Sequence, residues 1–224
     1  MRPSFIRFLL LLLLAAAVPA TTRAAGGQTP AERAAAPAQP PVPMTAQSYV
    51  PATTADRVEW TVVGTVGPQS LFVVGPLSAG FHTWLNEPSE WQQTWSGFGK
   101  RYLHREADVA ISNTMEAGLG AIWGEEPRYV PSGRRGIGAR ARYAIKTAFV
   151  TQRRDGHLAP AWGRYVANTL NNVIENSWLP PSATTPGQTA LRSAMGFASR
   201  IGGNAWAEFW PDAKQRFFTR KPKP

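Results

Sequence analysis

SEWQQTWSGFGKRYLHREADVAISNTMEAGLGAIW, residues 89–123, runs 35 residues without a proline. Ser89 with nearby Glu90 is a helix-start signal, and the stretch reads as one long helix to about Trp123. Trp91, Trp95, Phe98 and Tyr102 fall at i, i+4, i+7 and i+11, so a helix places all four on one face. An aromatic face at that spacing is first a core face. Second, it is a surface that tryptophan and tyrosine offer to a membrane interface or a sugar ring.

Punctuation on either side predicts more helices. Asp56 caps a short one through Val66, stopped by Gly67 and Pro68. A second, broken by Gly75 and Pro76, runs towards Leu85. A fourth spans Arg135 to Arg153 and ends at the turn Asp155-Gly156; a fifth covers Trp162 to Ser177, before Pro180-Pro181. After PPSATTPG a sixth runs from Gln188 to Phe209, with a last turn from Pro211. TVVGTVG (61–67) and LFVVG (71–75) also suit short strands, with helix preferred. The expected fold is all-α, a single compact domain of about six helices over residues 56–218, with a basic tail at 219–224.

The N-terminal residues predict export. Arg2 and Arg7 flank a short start, FLLLLLLAAAV (8–18) is apolar, and VPATTRAA is a small-residue cleavage zone. That is a secretory signal peptide, cut after Ala24. Its apolar run of about 17 Å is too short for a bilayer core of about 30 Å. Residues 25–55, rich in Ala and Pro, read as a disordered spacer. No later segment approaches eighteen uninterrupted apolar residues, so the mature chain is expected to be soluble or peripheral, without a transmembrane helix.

The chain carries 24 bases, 14 acids and no cysteine. Disulfides, thiolate zinc sites and cysteine nucleophiles are therefore excluded. Export removes nucleic acid as the default partner of a basic protein, leaving an anionic lipid surface or a cell-wall polymer in the periplasm or envelope.

GRRGIGARARYAIKTAFVTQRR, residues 133–154, has seven Arg or Lys and no acid. On a helix, Arg135, Arg142, Lys146 and Arg153 lie within about 20° of one line. Ile137, Ala141, Ala144, Ile145, Ala148 and Phe149 form the adjoining apolar arc. This is either the wet side of a helix or a binding stripe for an anionic surface, with Trp91 and Trp95 as aromatic help. Two rows of small residues, Ala190, Ala194, Ala198 and Gly202, and Ala110, Thr114 and Gly118, suit close helix packing in a soluble bundle.

GPLSAGF (75–81), GFGKRY (97–102), WGEEPRY (123–129), SWLPPS (177–182) and EFWPD (208–212) resemble recurring phrases of exported bacterial proteins of no assigned function. The resemblance covers about residues 60–215 and implies one contiguous domain. It implies no activity, cofactor or catalytic residue.

Catalytic signals are sparse. His104 and Asp108 are one turn apart, a spacing that suits an oriented imidazole or two metal ligands, yet Arg105 and Glu106 beside them suggest a solvated ion pair. Glu116 with that pair would make an envelope hydrolase acting on cell-wall glycan or lipid, the competing expectation. WGEEPRY reads first as a structural junction at Pro127 and second as a small polar cleft. No P-loop or GxSxG elbow is present, and no motif implies a cofactor or metal site. The function expected is thus a non-enzymatic peripheral binding or structural module for an anionic envelope surface.

Overall fold

The computed structural model describes residues 45–46 and 48–218. The signal peptide expected at 1–24, the spacer as far as residue 44 and the tail at 219–224 lie outside the described residues. The fold is mostly α, as expected: six α-helices and a two-stranded hairpin among those residues.

Helix α1 is Thr54–Val66. Its N-cap is Thr53, with Asp56 three residues on closing a capping box, so Asp56 serves the cap from inside the first turn. The Val-rich segments are helical. A π-helical turn, Ser70–Val74, carries the chain into α2, Gly75–Leu85, which Asn86 ends in the left-handed conformation at φ 55°.

The long helix starts later than expected. Ser89–Trp91 is a short 3-10 turn, Gln92 has φ 55°, and Thr94 caps α3, Trp95–Trp123, by accepting from the Gly97 amide at 3.1 Å. Trp91 therefore stands outside the helix, and its helical spacing to Trp95, Phe98 and Tyr102 does not apply.

Helix α4 is Ile137–Phe149. The expected continuation to Arg153 is instead β1, Val150–Gln152, paired antiparallel with β2, Leu158–Pro160. β-branched Val150 and Thr151 favour a strand there. Helix α5 is Trp162–Glu175 and α6 is Pro186–Phe218, which continues through Pro211 rather than restarting at it. α3 is central, packed against α1, α2 and α5, while α6 packs against α4 and α5.

WGEEPRY is the structural junction. Glu125 accepts from the Trp162 and Gly163 amides at 3.1 and 2.8 Å, which places a carboxylate on the N-terminus of α5. Glu126 accepts from the Ala52 amide at 2.9 Å and from Tyr49 Oη at 3.2 Å, so the chain is anchored well before residue 56.

The side-chain distribution is inverted. Among the described residues the buried hydrophobic set is nine residues, six of them alanine, while sixteen polar or charged residues are buried. On α5 the every-fourth row Gly163, Ala167, Asn171 and Glu175 faces inward, and Trp162, Val166, Leu170 and Val173 face out. On α6 the inward row includes Arg200, Asn204 and Glu208. The small row Ala190, Ala194, Ala198 and Gly202, expected to pack against a neighbour, is exposed. A soluble amphipathic helix buries the opposite face.

Trp60 to Asn86 contains no Asp, Glu, Lys or Arg. Phe72 and Trp84 are 77% and 72% exposed. By length and composition Thr54–Leu85 is long and apolar enough to cross a membrane, and only 22% of its most apolar window is buried. The sequence criterion of uninterrupted apolar residues passed over this stretch because Gly, Ser, Thr and Gln interrupt it; charges are what lipid penalises most.

Candidate functional site

The basic run does not form the four-residue stripe. Of the four stripe residues only Arg142 and Lys146 lie on α4; Arg135 precedes it, and Arg153 belongs to the hairpin region. Arg153 Nη2 lies 3.5 Å from Glu125 Oε1, and Arg154 donates to the Ala121 carbonyl at 2.8 Å. Arg140 is held by Glu208 and Asp212, with its guanidinium 4.6 Å from the Phe209 ring centroid. Arg134 stacks on Tyr143. The side chains of Arg135, Arg142 and Lys146 are exposed and make no ion pair or hydrogen bond among the described residues. The tertiary fold supplies acids that the local sequence lacks, and three bases remain open.

The two tryptophans lie at the start of α3 or just before it. Trp91 meets the His104 ring edge-on at 5.7 Å, under the Arg101 guanidinium. Trp95 is 88% exposed at the start of α3. The hairpin sits at the other end, where Arg153 donates to the Trp123 carbonyl. A helix from residue 95 to 123 separates those ends by about 42 Å.

Glu116 is likewise removed from the expected hydrolase. Arg164 Nε and Arg200 Nη2 reach its Oε1 at 2.9 and 2.5 Å. Twelve residues along α3 put it about 18 Å from His104. Its role is to neutralise two interior arginines. A cavity of about 20 Å³ beside them, lined by Tyr129, Gln152, Arg164, Arg200 and Asn204 among others, has room for about one water.

His104 and Asp108 are not a solvated pair either. They face Glu175 of α5, a residue that sequence reasoning passed over because a terminal acid on an amphipathic helix reads as wet. His104 Nδ1 accepts a hydrogen bond from Trp178 Nε1 at 3.1 Å. An indole only donates, so Nδ1 is bare and the ring proton is on Nε2. Burial lowers the His104 pKa from 6.5 to about 4, against the pull of Asp108. Burial first, then the Asp108 charge and hydrogen bond, push the Glu175 carboxyl up to about 9. Burial thus disfavours the charged forms of both groups where His104 Nε2 approaches Glu175 Oε2 at 3.9 Å.

Asn171 Nδ2 donates to Asp108 Oδ1 and, at 3.4 Å, to Glu175 Oε1. Arg192 Nε lies 3.4 Å from Glu175 Oε2, but its guanidinium is also committed to Asn172 and Asn176. Two carboxylates that share one amide donor repel each other when both are ionised. One shared proton removes that cost. Among the described residues no group of three His, Cys, Asp or Glu has the arrangement of a metal site.

No family model, no curated protein and no solved structure matches this chain.

Proposed function

We propose that this chain is a non-enzymatic binding module that seats peripherally on an anionic lipid surface of the cell envelope, as an exported protein. The observation that carries the proposal is the inversion: charges inside, and outward apolar rows on α1, α2 and α5. Soluble monomers rarely expose contiguous apolar patches beyond a few hundred Å². Wet apolar surface costs about 25 cal/mol per Å², and hydrocarbon relieves it. A cell-wall polyanion would balance the net charge yet leave these rows in water, so lipid is the better fit.

Arg135, Arg142 and Lys146 supply the electrostatic part. Each basic residue near an anionic leaflet contributes about 1 kcal/mol, so three contribute about 3 kcal/mol, or roughly 100-fold in partitioning at low salt. The apolar rows supply the rest and do not depend on salt.

Sedimentation with vesicles tests this. Wild type is expected to pellet with phosphatidylglycerol vesicles and more weakly with phosphatidylcholine vesicles. The triple variant Arg135→Gln, Arg142→Gln, Lys146→Gln should fold normally and lose most of the salt-sensitive fraction. A chain that ignores both vesicles and sediments as a stable dimer by itself has its apolar rows covered by a second copy, and lipid seating is then wrong.

A further inference from the structure

Asp108 and Glu175 come from different helices and meet in the interior, joined through one amide. The amide belongs to Asn171, 1% exposed, whose Oδ1 is buried and has no hydrogen-bond partner. A buried acceptor without a donor is uncommon, and this one belongs to the side chain whose Nδ2 reaches both carboxyls. His104 cannot supply the missing positive charge, because Trp178 keeps Nδ1 as an acceptor.

We propose that Asp108 and Glu175 form a proton-binding site: the two carboxyls together hold one exchangeable proton between α3 and α5, and its loss loosens the seam between these helices. The proton goes to water, and the site is left with two adjacent carboxylates. The charged and titratable groups facing it are His104 on α3, Arg192 on α6 and, more distantly, His82 on α2. Arg192 answers one carboxylate, not two.

The sign of the pH dependence follows from the two buried groups. Glu175 has a raised folded pKa, so its stabilisation is fully present below the unfolded value of 4.5 and is lost as pH rises through about 9. His104 has a lowered folded pKa, so its contribution is present above 6.5 and lost as pH falls through about 4. Between pH 6.5 and 9 only Glu175 changes, and stability should fall as pH rises.

Carboxyl ¹³C NMR on the full chain, labelled at Glu and Asp, tests the site. In wild type the Glu175 carboxyl carbon is expected to keep its protonated shift at pH 7 and to titrate near 9. Asp108→Asn removes the neighbouring charge and should move that titration down by more than one pH unit. Glu175→Gln should abolish the signal and flatten the melting temperature between pH 6.5 and 9. A Glu175 carboxyl already ionised at pH 7, or one whose titration ignores Asp108→Asn, overturns the proposal. Both outcomes are read in wild type and Asp108→Asn, so they stand even where Glu175→Gln does not fold.

Discussion

Arg140 on α4 donates through Nε to Glu208 on α6 at 2.9 Å, across 68 residues of sequence. The same carboxylate accepts from the Ser132 amide at 3.0 Å, Ser132 Oγ at 2.5 Å and Tyr129 Oη at 2.6 Å. One acid therefore ties the loop before α4, α4 itself and α6 together.

Burial pushes the Glu208 carboxyl up, but bonds from Ser132, Tyr129 and Arg140 outweigh it and hold the pKa below 4.5. A depressed folded pKa gives stability that is present above the unfolded value and lost as pH falls through the folded one. Glu208→Gln is expected to cost about 2–4 kcal/mol at pH 7 and to lose less further stability on acidification. Thermal melts at pH 7 and 3.5 measure both effects. Equal melting temperatures at pH 7 would count against this anchor.

Glu116 gives a second prediction, aimed at the hydrolase alternative. Glu116→Gln leaves Arg164 and Arg200 with a neutral partner in the interior, and about 3 kcal/mol of stability should go with it. Any hydrolytic activity on cell-wall or lipid substrates should fall only as far as the folded fraction falls. Loss of turnover in a fully folded variant would restore Glu116 to a catalytic role.

Helix positions were legible because their signals are local. Gly67-Pro68 and Pro180-Pro181 punctuate the chain whatever packs around it. Three local signals misled. Asp155-Gly156 turns the hairpin instead of ending a helix at Arg153, Pro211 does not restart α6, and Trp91 is cut from α3 by the Thr94 cap. The candidate site was half legible. His104 and Asp108 announced themselves by spacing, but Glu175 has no sequence neighbour that links it to them. The larger gap was orientation. Periodicity says that α5 has an apolar side and a polar side, and only the tertiary structure shows which side faces in.

The start of α3 offers a paired test of backbone contact. A Cβ on Gly97 would lie 2.1 Å from the Trp91 carbonyl oxygen and 2.3 Å from that of Gln92, while one on Gly99 meets nothing within 4 Å. Gly97→Ala should cost about 1–3 kcal/mol by overpacking. Gly99→Ala should be neutral or stabilise by up to about 1 kcal/mol, since alanine outranks glycine in a helix. Urea titrations of the two variants check this, and equal midpoints would contradict the close Gly97 contact.

Lipid seating is tested most directly at Leu77, which is 69% exposed on the outward side of α2. The chain has no cysteine, so Leu77→Cys places a single nitroxide label without background. On adding phosphatidylglycerol vesicles, its electron paramagnetic resonance collision rate with oxygen should rise and that with a water-soluble nickel chelate should fall, the signature of hydrocarbon. A label that stays equally open to the nickel chelate while the protein is bound to vesicles would show that this face remains in water, and the account of the inverted fold as a lipid-seated one would be wrong.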